Sequence, residues 1–197
     1  GLAHVCLLSR SMTLVRSRVE TPIPRKGKNA LYNRDGALAK FFAALLRALL
    51  QHVDLGAVKV VLLASPGFTK DSFFAYAMEE AARAAHPAEA CGILLGQKDS
   101  ITQFVETRNV HPRPKTHFEI DPQTLVDAHR AQRAGGPEVL GYYHSHPQGP
   151  GEPSKTDRAS ASRDGHIWAI IGADNDVTFW LDDESGLAAL PYAVTDR

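Results

Sequence analysis

The sequence predicts a mixed α/β protein. Short apolar runs of strand type, such as "CGILLG" and "HIWAII", alternate with segments whose apolar residues recur at three- and four-residue spacing. Pro and Gly mark most of the boundaries between them. A hydrophobic fraction of 44% in 197 residues is that of a globular chain.

Leu2–Ser9 and Met12–Thr21 read as two strands joined by a short polar turn. Pro22–Gly36 is a loop. Ala37–Val53 is a helix, with Leu38, Phe41, Phe42, Leu45, Leu49 and Val53 on one stripe and Asp35 placed to cap it. Val58–Ser65 reads as a buried strand and Lys70–Ala85 as a helix stopped by Pro87, its stripe formed by Phe73, Phe74, Ala77, Met78 and Ala81. Cys91–Gly96 lacks polar alternation, as a strand covered on both faces would, whereas Ile101–Val110 alternates and is expected to be half exposed. A helix over Pro122–Arg133 ends at Gly135-Gly136. Val139–Tyr143 is a strand carrying histidines at its end, and the segment from Ser154 is a short helix. Three further strands, "HIWAII", "VTFWL" and "LAALPYAV", close the chain.

Lys plus Arg equals Asp plus Glu at 22 each, so global charge points neither to nucleic acid nor to an anionic membrane. No apolar run approaches the roughly 20 residues of a membrane span. The two cysteines, Cys6 and Cys91, are too far apart for zinc-finger spacing and are expected as free buried thiols, which fits a reducing, cytoplasmic compartment.

The chemistry concentrates in "GYYHSHPQGPGEPSKTD", Gly141 to Asp157. Alternate residues of a strand share a face, so His144 and His146 point the same way, about 6.6 Å apart along it. A Gly- and Pro-rich turn follows, and Ser154 is placed as the N-cap of a helix that would swing Asp157 towards the histidines. Two imidazoles and a carboxylate suit zinc, and three protein ligands leave a fourth position for water. A zinc hydrolase also needs a general base. Glu89 is the candidate, because a carboxylate between a helix end and a buried strand is unusual unless it faces a cleft. Ser154 could in addition donate to an oxyanion.

The joint pattern is Glu89, then His144-Ser145-His146, seven residues from Pro147 to Pro153, then Ser154-x-x-Asp157. It resembles the JAMM (MPN-plus) metalloprotease signature, and the surrounding sequence is similar to the short prokaryotic members over about Glu79 to Arg197. The resemblance implies a cytidine-deaminase-like sheet with flanking helices. It implies His144, His146 and Asp157 as zinc ligands, Glu89 as acid/base and Ser154 as transition-state stabiliser. The implied substrate is the peptide or isopeptide bond after the tail of a ubiquitin-like or sulfur-carrier protein. His111, His117, His129 and His166 lie outside the motif and are expected in loops or on the surface.

Residues 1–78 instead resemble the first half of the central domain of pelota, a ribosome-rescue protein. The α/β JAMM domain is thus expected over 58–197 behind a partial pelota-like α/β segment, 1–57. In that arrangement residues 58–85 supply the opening strand and helix of the JAMM sheet. In the alternative, two half-independent domains share one long helix. The resemblance to pelota also implies RNA or ribosome contact through the basic loop Arg25, Lys26, Lys28 and Arg34. The rival functions are a ribosome-rescue module with an inert JAMM part and a folded chimera with no selected function.

Overall fold

The structure is a computed structural model that describes residues 1–9, 11–24, 31–54, 63–67, 69–98 and 100–191, with residues 31–33 as backbone only. The chain forms two compact units, Gly1–Tyr76 and Ala77–Arg197.

In the first unit, β1 (Leu2–Leu8) and β2 (Thr13–Glu20) form an antiparallel hairpin with a bulge between Val5 and Cys6. Helix α1 (Leu31–His52) buries Phe41 and Phe42 in one cluster with Val5, Val19, Ala48 and Val53. Leu38, Leu45 and Leu49 of the expected stripe pack on that cluster. The helix begins earlier than Ala37, so Asp35 and Gly36 are interior and Asp35 is not the cap. A helix glycine costs only about 1 kcal/mol, too little to stop a helix that buries two phenylalanines further on. Arg34, expected in a loop, is likewise helical, while Arg25, Lys26 and Lys28 lie outside the described residues. Cys6 is half-buried rather than buried, as it sits at the bulge; both thiols are free.

Helix α2 (Thr69–Ala85) crosses from one unit into the next. Its Phe73 and Tyr76 rings pack on Phe42, each with centroids 5.7 Å away. Phe73 thus belongs to the first unit's core rather than to the main sheet, while Met78 and Ala81 of the same stripe are also buried. The expected boundary at 57/58 and most of the expected strand Val58–Ser65 fall outside the described residues. Leu63–Ser65 are described and are not strand, and Leu63 packs on the first unit's cluster.

The second unit is built on a six-stranded sheet. It comprises β3 (Cys91–Gln97), β4 (Ser100–Thr107), β5 (Glu138–Ser145), β6 (Ile167–Ile171), β7 (Val177–Asp183) and β8 (Gly186–Ala189), in the order β4-β3-β5-β6-β7-β8. Helix α3 (Pro122–Arg133) starts at Asp121, whose carboxylate accepts from the Gln123 N–H, and ends before Gly135 at φ +85°. Its Leu125 and Ala128 pack on Cys91, Ile93, Leu95, Ile120 and Val139. Gly92 lets the sheet close over Tyr143, since a Cβ there would lie 2.2 Å from the tyrosine ring and from the Val105 carbonyl.

Strands β5 and β6 are the parallel pair of this sheet. A parallel pair needs a crossover. Here the crossover is the Pro147–Pro153 turn followed by α4 (Lys155–Ser160), so the motif is delivered to the carboxyl end of two adjacent buried strands. Among the described residues no helix is long and apolar enough to cross a membrane.

Candidate metal centre

Three elements place three side chains. His144 lies in β5 opposite Cys91 of β3 and Ile170 of β6, and is fully buried. His146 follows the strand, its N–H donating to the Ile171 carbonyl at 2.8 Å. Asp157 is the third residue of α4 and closes a capping box with Ser154, whose N–H donates to Asp157 Oδ2 at 2.6 Å. The turn between them is tied to the β6–β7 end by the Ala173 N–H donating to the Gly149 carbonyl at 2.8 Å.

The donor atoms converge. Nε2 of His144 and Nε2 of His146 are 3.0 Å apart. Asp157 Oδ1 is 3.3 Å from the first and Oδ2 is 3.2 Å from the second. His146 Nδ1 lies 2.8 Å from the Pro150 carbonyl. A carbonyl only accepts, so Nδ1 of His146 carries a proton and Nε2 of the neutral ring points a lone pair at the carboxylate. That meeting of lone pairs is electrostatically incomplete without a proton or a cation.

The titration behaviour reflects this. Burial raises the carboxyl of Asp157, but the bonds from His144, His146 and Ser154 outweigh it and hold Asp157 well below the usual range. Burial lowers His144 despite its Asp157 partner. Burial also opposes charge on His146, yet Asp157 and the Pro150 carbonyl prevail and raise it.

These residues fit a divalent ion. Arms of about 2.0–2.1 Å in tetrahedral geometry separate ligand atoms by about 3.3 Å, close to the 3.0–3.3 Å found here. One carboxylate and two imidazoles form a donor set suited to zinc. Behind the ligands the packing is aromatic. Phe118 stacks on His144 at 4.3 Å and Trp168 meets it edge-on at 5.8 Å.

Glu89 comes from the segment just before β3. The peptide of Ala90 bonds Ser145 twice, its N–H donating to Ser145 Oγ at 2.9 Å and its carbonyl accepting from the Ser145 N–H at 3.0 Å. One residue earlier, Glu89 therefore stands beside His146. The residue is 6% exposed. Burial pushes its pKa up to about 7, with His146 pulling it down and Asp157 pushing it up. The structure thus gathers His144, His146, Asp157 and Glu89. Ser154 is exposed and joined to Asp157 through backbone and side chain, its Oγ accepting from the Asp157 N–H at 3.2 Å.

A cavity of about 290 Å³ opens onto Asp157, lined by His111, Thr116, His117, Phe118, Glu119, Thr156 and Ser160. His111 and His117 lie in a loop as expected, but they form its wall, their rings stacked at 4.7 Å. Arg113 Nη2 donates to His117 Nε2 at 3.1 Å. His117 is lowered by its surroundings, then by Arg113 and His111. Sequence spacing carries no trace of this wall, because it is made by a loop whose place is set by tertiary bonds. The other two histidines do not join the centre: His166 pairs with Asp164 and His129 lies on α3.

Fold and site together define a domain of the JAMM/MPN class, with a candidate metal centre built from one strand end and one crossover helix. The family model described as prokaryotic homologs of the JAB domain matches residues 75–182, and the chain belongs to that family. The model for eRF1 domain 2 matches residues 1–113. A desampylase of Haloferax volcanii is 37% identical over 119 residues, covering 58% of this chain and 85% of that protein. The pelota protein of Drosophila melanogaster is 48% identical over 83 residues, covering 42% of this chain. The chain spans 21% of the length of that pelota and 35% of the Danio rerio homolog. The solution structure of a Desulfitobacterium hafniense protein superposes with TM-score 0.54 at 28% identity, covering 61% of this chain and 88% of that one.

Proposed function

We propose that the chain is a zinc-dependent metallopeptidase or isopeptidase that hydrolyses the bond after the C-terminal tail of a ubiquitin-like or sulfur-carrier protein. The observation that carries this reading is the buried Glu89, held one residue before the Ala90–Ser145 pair, beside a converging His-His-Asp triad. The desampylase relative supports the substrate class.

His144, His146 and Asp157 would hold the ion. When bound, zinc acidifies water and polarises a carbonyl. Glu89 is the carboxyl placed to move protons. As a carboxylate it takes the proton of the attacking water, and as a carboxylic acid it returns it to the departing amine nitrogen. Ser154 Oγ accepts from the Asp157 N–H and keeps its own hydrogen free to donate to the carbonyl oxygen as negative charge develops. Phe118 stacked on His144 and Trp168 set edge-on to it hold the imidazole ring in place.

The test is cleavage of a ubiquitin-like protein carrying a short C-terminal extension, by zinc-loaded protein and by Glu89→Gln. General acid–base work is worth about 10²–10⁴ in rate, and the variant should lose on that order while keeping its zinc. Equal cleavage by the two proteins would remove the assignment. The match of residues 1–113 to eRF1 domain 2 favours a second role for the first unit, contact with the ribosome. Failure to cosediment with ribosomes at low salt would end that role.

A further inference from the structure

Asn109 lies just past the end of β4 and bridges to Ile120 in antiparallel fashion. An asparagine side chain offers two N–H donors and two acceptor lone pairs. All four are engaged here. Nδ2 donates to the Glu89 carbonyl at 3.0 Å and to the His117 carbonyl at 3.1 Å. Oδ1 accepts from the His111 N–H at 3.1 Å and from the Glu119 N–H at 3.2 Å. Glu89 has no strand partner for its own peptide. Its N–H goes to the Pro114 carbonyl at 2.7 Å, within the same loop that Asn109 gathers.

We propose that Asn109 is a positioning residue that holds the acid/base carboxylate Glu89 in register with the cavity loop 110–119. The inference rests on the function proposed above for its catalytic consequence, and on hydrogen bonding alone for the positioning. One side chain ties the residue that moves protons to the loop that carries Phe118, the ring behind ligand His144, and His111 and His117, the wall of the cavity. No other side chain meets these demands. Aspartate has the shape but no donors, serine has one donor and too short a reach, and glutamine is longer by one methylene.

The first measurement is amide exchange in the parent protein. The Glu89 N–H should be protected to a degree comparable with Ile93 in β3, and exchange at the rate of an open loop would overturn the proposal. The second uses Asn109→Asp, which keeps both acceptors and turns a carboxylate towards two carbonyls. The Glu89 amide should exchange at least about tenfold faster while zinc stoichiometry and Ile93 exchange stay as in the parent. With a ubiquitin-like fusion as substrate, kcat should fall on the order of 10–10²-fold with KM within about threefold, the scale on which small misplacements cost rate. Unchanged Glu89 exchange, or unchanged kcat, would overturn it. So would loss of zinc and kcat in parallel with global unfolding, which marks a merely structural residue; Asn109→Ser provides the same readings should the aspartate variant fail to fold. If the parent protein shows no turnover, the proposed function fails, while the exchange data still decide whether Asn109 holds Glu89.

Discussion

Ser154 and Asp157 are bonded to each other twice, Ser154 N–H to Asp157 Oδ2 at 2.6 Å and Asp157 N–H to Ser154 Oγ at 3.2 Å. The reciprocal pair starts a helix of six residues, too short to persist by itself, and sets the angle at which the carboxylate meets the two imidazoles.

Ser154→Ala therefore separates two roles of one hydroxyl. Loss of the cap should cost about 1 kcal/mol of stability. Loss of an oxyanion donor should cost about 10²–10³ in kcat at full metal occupancy. Thermal unfolding and single-turnover rates measure the two effects. A kcat that drops only as far as zinc occupancy drops would leave Ser154 a helix cap.

Asp157→Asn replaces the anionic ligand with a neutral amide and should weaken zinc binding by at least tenfold in a chelator competition. The folded structure should survive, because Asn can still accept from the Ser154 N–H. Parent-like zinc retention would mean that the ion, if bound, lies elsewhere.

The metal-free protein should show a pH signature of Glu89. Its folded pKa, about 7, lies above the unfolded value of about 4.5. A raised acid stabilises the folded state fully below the unfolded pKa, and that stability is lost as pH rises through the folded one. The Glu89 contribution should therefore decline by on the order of 3 kcal/mol between pH about 4.5 and 7, read as the difference between the parent and Glu89→Gln, in which the other groups titrate alike. Unfolding curves that run parallel for the two proteins across this window would contradict the buried-carboxyl assignment.

Gly92→Ala would push a methyl into the Tyr143 ring and the Val105 carbonyl, both 2.2 Å from the new atom. Neither can move freely, one being buried and the other backbone. Destabilisation of roughly 1–3 kcal/mol or more is expected by denaturant titration. An unchanged midpoint would show that β3 and β5 can shift apart.

What could be read from the sequence was what local chemistry writes. The hairpin, strands β3 to β7, helix α3 and the capped helix α4 follow from alternation, apolar runs and terminal signals. The convergence of the two imidazoles and the carboxylate follows from His144, Ser145 and His146 at a strand end and a capping serine three residues before an aspartate. What stayed hidden depends on distant partners. The start of α1 is set by what Phe41 and Phe42 bury, not by Asp35. Phe73 joins the first unit because Phe42 is there to receive it. The roles of Asn109, His111 and His117 arise from bonds reaching back to Glu89, and no periodicity announces them.

The crossover that joins β5 to β6 also orders assembly in time. His144 and Asp157 lie 13 positions apart (157 − 144), whereas Glu89 lies 55 before His144 (144 − 89). Closing the longer loop costs about 1.3 kcal/mol more in chain entropy, by (3/2)RT ln(55/13). Loop entropy thus favours closing the His144–Asp157 cluster ahead of docking Glu89 against it, and pulse-labelled amide exchange of the two segments during refolding would read that order. A species with the cluster closed and Glu89 still undocked would offer donors to an ion with no means of moving a proton, so cargo and competence would be acquired at different moments in the life of the molecule.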